Sequence, residues 1–329
     1  MLAAAVASGT GAGARSGRVP AFNDRREGEG MAQAGFHGIY PMLYALFGAD
    51  GGLDRGAHAA QVEACLAAGV HGLAVGGLAS ECNKLTVEER RDLAAWTLEA
   101  AAGRVPVCVT VSDNTVGGQV EAVRHAADAG AAWAVLQPPP VKSASEAALI
   151  DFFGAVADAA PIPVGIQNAP EYIGIGLSNA GLIELNRRHP NVSILKAEGP
   201  VLTIARLAED AGGTFTLFNG RNGIELLDSL RAGCAGMIPG VETCDVQSRI
   251  FDLDRAGDAK VADVAFREIL PLLHFLMSTV DHLLCYGKRL AARRIGLDDV
   301  HDRGPAMAPH PAGMRTLEYW SQGLGRLGS

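Results

Sequence analysis

From Gly38 onward, short apolar runs of strand length alternate with longer amphipathic runs of helical period, with little interruption. The apolar runs fall at residues 39–46, 72–75, 105–111, 133–137, 164–167, 193–196, 215–218 and 236–238. Helical patterns follow them at 54–68, 86–101, 116–129, 145–159, 178–188, 200–211, 223–232 and 244–256. Eight βα units over roughly 220 residues fit a parallel (β/α)8 TIM barrel better than a doubly wound sheet. Turn chemistry agrees. Ala68-Gly69, Ala129-Gly130 and Ala232-Gly233 place glycine at a helix end, where a left-handed cap costs least. Thr86-Val87-Glu88-Glu89 reads as a capping box that opens the second helix.

Three further helical runs, at 260–284, 288–296 and 312–324, predict a C-terminal helical extension. The expected organisation is therefore a lead-in at 1–34, a barrel at 35–258 and a helical annex at 259–329 packed on it. The lead-in is rich in Gly and Ala and poor in aromatic and β-branched residues, a composition expected to be disordered. Met31, just before the first strand signal, is a candidate start. Met1–Ser8 has no positive flank and makes a poor secretion signal.

Composition narrows the partners. With 48% hydrophobic and 19% charged residues the chain can bury a large core, and a net charge of −8 argues against nucleic acid or an anionic membrane. No apolar stretch reaches the roughly 18 residues of a membrane span. The six cysteines are scattered, with no metal-ligand spacing, and read as reduced thiols in a cytoplasmic protein. The expected ligand is a small molecule.

In such a barrel the active site sits at the C-terminal ends of the strands, and those ends are unusually polar here. Lys196 is the most informative of them, a lone cation closing the apolar run Val192, Ser193, Ile194, Leu195. A lysine held against apolar neighbours has its ammonium form disfavoured, and a neutral amine is what Schiff-base catalysis needs. Around it stand Gly76-Gly77-Leu78-Ala79-Ser80-Glu81 after strand two and Gln167-Asn168-Ala169-Pro170 after strand five. Lys196-Ala197-Glu198 closes strand six, Asn219-Gly220-Arg221-Asn222 follows strand seven and Ile238-Pro239-Gly240 ends strand eight.

Together these motifs resemble the dihydrodipicolinate synthase and N-acetylneuraminate lyase superfamily of lysine-dependent lyases, over about 38–311. The resemblance implies that Lys196 is the Schiff-base lysine attacking the ketone of a 2-oxo acid. It also implies that the Gly77-Leu78-Ala79-Ser80 loop holds the carboxylate, and that the Gly220 backbone faces the far end of the substrate. Asn168 and Ile238 fall in the same binding set. Two departures stand out. Leu78 and Ala79 replace the adjacent threonines of most members, and Gln167 replaces the proton-shuttling tyrosine. A carboxamide orients and hydrogen-bonds but exchanges no proton at a usable pKa. The arginine that holds a semialdehyde carboxylate in the synthase is also absent, with Glu171-Tyr172 in its region. Gln167, Ala169, Pro170, Ser80, Glu81, Lys196 and Glu198 are closer to the 2-keto-3-deoxy-L-arabonate dehydratase group, although Pro138-Pro139-Pro140 departs from it.

The expected activity is a cytoplasmic lyase in which the Lys196 iminium acidifies C3 of a 2-keto-3-deoxy sugar acid, which is then dehydrated or cleaved. No metal and no organic cofactor are implied, and the resemblance implies a homotetramer or homodimer. Glu198 reads as the missing base or as an arginine partner, Tyr172 as a substitute phenol or a packing residue, and Ser80 as a carboxylate ligand or a helix cap. Glu81 and Asn168 read as loop braces, Arg221 as an anion ligand or a solvated cation. His58 and His125 read as ordinary residues of surface helices, His274 and His282 as ordinary residues of the annex, and Trp133 as core. The alternatives are a condensation with pyruvate of the 4-hydroxy-tetrahydrodipicolinate synthase type, a barrel that binds a ligand without chemistry, and a phosphate-binding barrel enzyme. Glu242 weighs against the last by bringing a carboxylate where an anion would sit.

Overall fold

Proline sets the character of the first strand. The computed structural model describes residues 35–297 and 299–328, so the expected lead-in and Met31 lie outside the described residues. The predicted strand at 39–46 is regular only over β1 (Gly38–Ile39), because Pro41 has no N–H to continue the ladder. Pairing resumes at Met42, which bridges in parallel to both Ala74 and Gly240 and so closes the barrel between its first, second and last strands.

The first half of the chain runs α1 (Arg55–Ala67), β2 (Leu73–Val75), α2 (Val87–Ala101), β3 (Val107–Val111), α3 (Val116–Asp128), β4 (Trp133–Leu136) and α4 (Glu146–Ala159). The second half runs β5 (Val164–Asn168), α5 (Pro170–Ile173), α6 (Asn179–Arg188), β6 (Val192–Ala197), α7 (Val201–Ala211), β7 (Thr216–Asn219), α8 (Leu226–Arg231), β8 (Gly236–Met237) and α9 (Cys244–Arg255). The eight strands lie in the order β1-β8-β7-β6-β5-β4-β3-β2, every pair parallel, as a (β/α)8 barrel requires. The expected caps form. Thr86 Oγ1 accepts from Glu89 N at 3.1 Å while the Glu89 carboxylate accepts from Thr86 N at 2.9 Å. Gly69, Gly130 and Gly233 all take positive φ.

Alternation along β6 explains how a lysine reaches the barrel interior. Residues i and i+2 share a face of a strand. Leu195 and Ala197 pack outward against the helical layer, whereas Ile194 joins the interior core with Trp133 and Phe218. Lys196 points the same way as Ile194, above a floor in which the Trp133 and Phe218 rings stack at 5.4 Å and Tyr40 meets Phe218 edge-on at 5.2 Å.

Two expected helices differ. The run at 223–232 begins instead with a 3-10 turn, Arg221–Gly223, in which Asn222 is left-handed at φ 53°, and α8 starts only at Leu226. Buried partners of Asn222, described below, hold that turn open. The run at 260–284 breaks into α10 (Ala259–Leu276) and α11 (Val280–His282), which continues through a π turn at Leu283–Gly287 into α12 (Lys288–Ile295). The axis turns by 104° at this break. Thr279 makes the new start, its hydroxyl accepting from His282 N at 3.0 Å. A last helix, α13 (Pro311–Trp320), packs through Leu317 into the core shared by α9 and α10. No single helix among the described residues is long and apolar enough to cross a membrane. All six cysteines are buried and free.

Candidate active site

Lys196 is only 3% exposed, and its register on β6 sets it beside Gln167 of β5 and Phe218 of β7. It is not alone. Glu198 Oε1 lies 3.4 Å from Lys196 Nζ, with both side chains buried at the C-terminal mouth of the barrel. The other carboxylate oxygen accepts from Gln167 Nε2 at 2.6 Å, and Gln167 Oε1 accepts from Gln137 Nε2 at 2.7 Å. Gln167 thus turns its NH2 toward Glu198 and its oxygen toward Gln137. Gln137 in turn accepts weakly from Cys82 Sγ at 3.8 Å, while Gln119 Nε2 donates to its backbone carbonyl at 2.8 Å. Burial pushes the Cys82 thiol up, which keeps it a neutral end to the chain.

Glu198 has room for this position because residue 220 is glycine. A Cβ there would stand 2.2 Å from Glu198 Oε1. Gly220 N donates to Asn219 Oδ1 at 2.8 Å, and Asn219 Nδ2 donates to Gly199 O and to Ser229 Oγ, so the loop after β7 is tied to the loop after β6.

A cavity of about 40 Å3 opens over the pair. Leu78, Ala79, Tyr172 and Ile238 line it together with Lys196 and Glu198, so these sequence candidates converge on one place. Among the described residues the backbone N–H groups of Leu78 and Ala79 have no acceptor, whereas those of Ser80 and Glu81 turn back onto Gly77 O and Leu78 O. The loop thus presents two consecutive amide donors beside an amine. Gly77 matters for space: its N–H meets Met42 Sδ at 3.3 Å, and a Cβ would strike the Met42 methyl.

Other candidates sit elsewhere in the architecture. Ser80 Oγ donates to Leu43 O at 2.6 Å and accepts from Gly76 N at 2.9 Å, which engages the hydroxyl in bracing the loop. Asn168 does the same for the following turn, bonding both N–H and C=O of Leu177 through its two carboxamide ends. Glu81, left-handed at φ 54°, is buried between Lys84 at 2.6 Å and Lys288, a cation delivered by α12. Arg221 pairs with Glu225 at 2.6 Å and borders the cavity beside Tyr172, whose phenol is raised by burial and drawn back by that guanidinium. Glu242 is fully buried, accepting from Tyr44 Oη at 2.7 Å and from Asn222 Nδ2 at 2.7 Å. Burial pushes its carboxyl up, and it fills the loop after β8 that a phosphate would need.

His58, expected on a surface helix, is instead buried against α2. Gln137 escaped the sequence reading, although it closes β4 just as Gln167 closes β5 and the same strand-end argument applies to it. Met277, Val280 and Leu283, which roof the cavity, carry no local signal. A larger cavity of about 230 Å3 lies outside the barrel between α2 and α3 and holds none of the candidates.

The sequence model of the dihydrodipicolinate synthetase family matches residues 35–313. The chain belongs to that family. It is accordingly a lyase of the aldolase type. The 4-hydroxy-tetrahydrodipicolinate synthase of Methanoculleus marisnigri is 32% identical over 244 residues, covering 72% of this chain and 83% of the relative. The enzyme of the same name from Exiguobacterium sibiricum is 29% identical over 282 residues, 84% and 94% of the two chains. Among solved structures, YagE of E. coli K12, a dihydrodipicolinic acid synthase family protein in complex with pyruvate, superposes with a TM-score of 0.81 at 27% identity. That match covers 88% of this chain and 99% of YagE.

Proposed function

We propose that this family member forms an imine between Lys196 and the C2 ketone of a small 2-oxo acid, and that Glu198 moves the protons of the steps that follow. The observation that carries this reading is the buried Lys196–Glu198 pair, 3.4 Å apart in a cavity also lined by Leu78 and Ala79, whose amides have no acceptor. Those amides suit the C1 carboxylate. Condensation releases the ketone oxygen as water, and the iminium then accepts an electron pair from C3. In a 4-hydroxy-2-oxo acid two outcomes are open. Glu198 takes the C3 proton and returns it to the departing C4 hydroxyl, releasing water; or it takes the C4 hydroxyl proton as the C3–C4 bond breaks, leaving an aldehyde and the enamine of pyruvate. Gln167 supports either course by holding the carboxylate through its N–H, and it has no proton of its own to exchange.

Dehydration or cleavage of a 2-keto-3-deoxy acid is the reading the site supports best, because Gln167 and Glu198 stand where a phenol-based relay would be expected. The names of the relatives favour a second reading, condensation of pyruvate with an aldehyde, which is the cleavage step run backward. Pyruvate bound to YagE supports a 2-oxo acid in both. The test is borohydride reduction in the presence of pyruvate and of 2-keto-3-deoxy acids, followed by peptide mass spectrometry. A reduced adduct on Lys196, lost in Lys196→Ala, is expected. An unmodified protein across the panel would instead mark a barrel that binds without chemistry.

A further inference from the structure

Arg221 has more hydrogen-bonding capacity than the chain uses. Its ion pair with Glu225, at 2.6 Å, engages Nη1 alone, and among the described residues Nε is buried with no acceptor. A guanidinium donor kept from water without a partner is costly, so the group calls for an acceptor from outside the chain. The backbone is strained to deliver it. Arg221 and Asn222 are both left-handed, at φ 52° and 53°, a region that disfavours a residue with a Cβ. Asn222 anchors this turn by donating through Nδ2 to buried Glu242 at 2.7 Å and accepting through Oδ1 from Gly240 N at 2.7 Å. Glu225 is itself fixed, accepting from Val201 N at 3.3 Å at the start of α7.

The guanidinium lies beside the Tyr172 phenol, and both residues border the cavity that holds Lys196 and Glu198. Tyr172 follows β5 and Arg221 follows β7, so they meet from either side of β6, the strand of the lysine. The loop of Leu78 and Ala79 follows β2. Around the closed barrel β1 and β8 stand between that strand and β7. The two sets of donors therefore face a ligand from different sides of the mouth, with the amine between them. A 2-oxo acid with C1 on the amides of Leu78 and Ala79 and C2 on Lys196 Nζ extends its remaining carbons toward Arg221.

Resting on the Schiff-base reading above, we infer that the substrate is a dicarboxylic 4-hydroxy-2-oxo acid whose second carboxylate is held by the guanidinium of Arg221. A carboxylate fits this acceptor role best. Its two oxygens match the planar fork of a guanidinium, and charge-assisted bonds are about twice as strong as those to a neutral hydroxyl. Glu225 acts as a positioning residue, steering the guanidinium through Nη1 and leaving Nε to the ligand. The reacting carbons remain those of the 2-keto-3-deoxy acid class, and cleavage would release an aldehyde that carries the second carboxylate.

The experiment compares kcat/KM for consumption of three acids by the full chain: the adducts of pyruvate with glyoxylate, with glycolaldehyde and with propanal. They differ only in a carboxylate, a hydroxymethyl or an ethyl group on C4. The glyoxylate adduct is expected to be preferred about tenfold or more, as for a site built to bond one group of its substrate. Arg221→Gln removes the charge and the fork and is expected to narrow that preference about fivefold or more, by raising KM for the dicarboxylic acid. Arg221→Lys keeps the charge without the fork and is expected to recover part of it. Equal or better consumption of the hydroxymethyl or ethyl acid by the parent, or a preference unmoved in Arg221→Gln, overturns the inference. Borohydride trapping of pyruvate, which has no tail, runs in parallel on all three proteins. If Arg221→Gln loses that adduct, Arg221→Lys decides, and a preference equal to the parent's overturns the inference. An adduct on parental Lys196 without the preference sinks only the tail assignment, whereas no adduct there sinks the imine reading and the inference with it.

Discussion

Gly220 and Glu198 fit against each other so closely that a Cβ on residue 220 would stand 2.2 Å from the Glu198 carboxylate oxygen that faces Lys196. Gly220→Ala is expected to push the carboxylate away from Lys196. Misplacement by about 1 Å costs on the order of a hundredfold in turnover. Steady-state kinetics on a variant whose thermal unfolding matches the parent would check this, and undiminished kcat would show that Glu198 does not need its place.

Glu198 itself is expected to divide chemistry from capture. Glu198→Gln keeps the shape and removes the base, so kcat should fall by about 10²–10⁴, the usual range for a positioned acid or base. Trapping of pyruvate on Lys196 should still be detectable by mass spectrometry after long incubation. Loss of turnover below tenfold would return Glu198 to the role of an ion-pair partner.

Gln137 reaches that carboxylate only through Gln167. Gln137→Leu leaves Gln167 Oε1 without its donor and frees the amide to rotate, so that its oxygen can face the carboxylate it now steadies. The expected result is a roughly tenfold lower kcat with KM little changed and unfolding as in the parent. A purely structural role would lower stability and leave the kcat of the folded protein in place.

What the sequence made legible followed from position. Lys196, Gln167 and Glu198 are polar residues at the ends of apolar runs, and in a parallel barrel that location alone brings them to one mouth. Ser80 could be read two ways, since the carbonyl that takes its hydroxyl belongs to Leu43, 37 positions away. The annex wall was hidden for a different reason. Residues 277–279, Met-Ser-Thr, hold no Gly or Pro to announce a break, while Pro271 stays inside α10. The bend depends on tertiary packing and on the Thr279 cap, neither of which a hydrophobic period records.

Lys288 ties the annex to the loop of the site. Its ammonium is buried against Glu81, whose left-handed backbone stands two residues from Ala79, and Lys84 and Asp302 complete the cluster. Removing one partner of a buried pair leaves a charge uncompensated, so Lys288→Met should destabilise the fold by about 3–5 kcal/mol in chemical denaturation. Lys84 still faces Glu81, which favours the lower end of that range. The double variant with Glu81→Gln should recover much of the loss. Simple additivity of the two changes would argue that they do not act as a pair.

His58 makes the fold sensitive to acid. Thr97 Oγ1 donates to Leu93 O at 2.7 Å, so at 2.8 Å it must accept from His58 Nε2–H, and Nδ1 is left buried with no partner. A proton on Nδ1 would place a charged donor in the core without an acceptor, and burial lowers this imidazole from 6.5 to about 4. The folded value lies below the unfolded one, so the folded state binds fewer protons. The stability linked to this group is whole above pH 6.5 and drains away as pH falls toward 4, by about 3 kcal/mol over that interval. His58→Gln offers Thr97 a neutral donor and is expected to flatten that limb of the stability–pH curve while changing little at pH 8. Denaturant midpoints measured from pH 4 to 8 on both proteins decide it, and parallel curves would mean that another group sets the acid response.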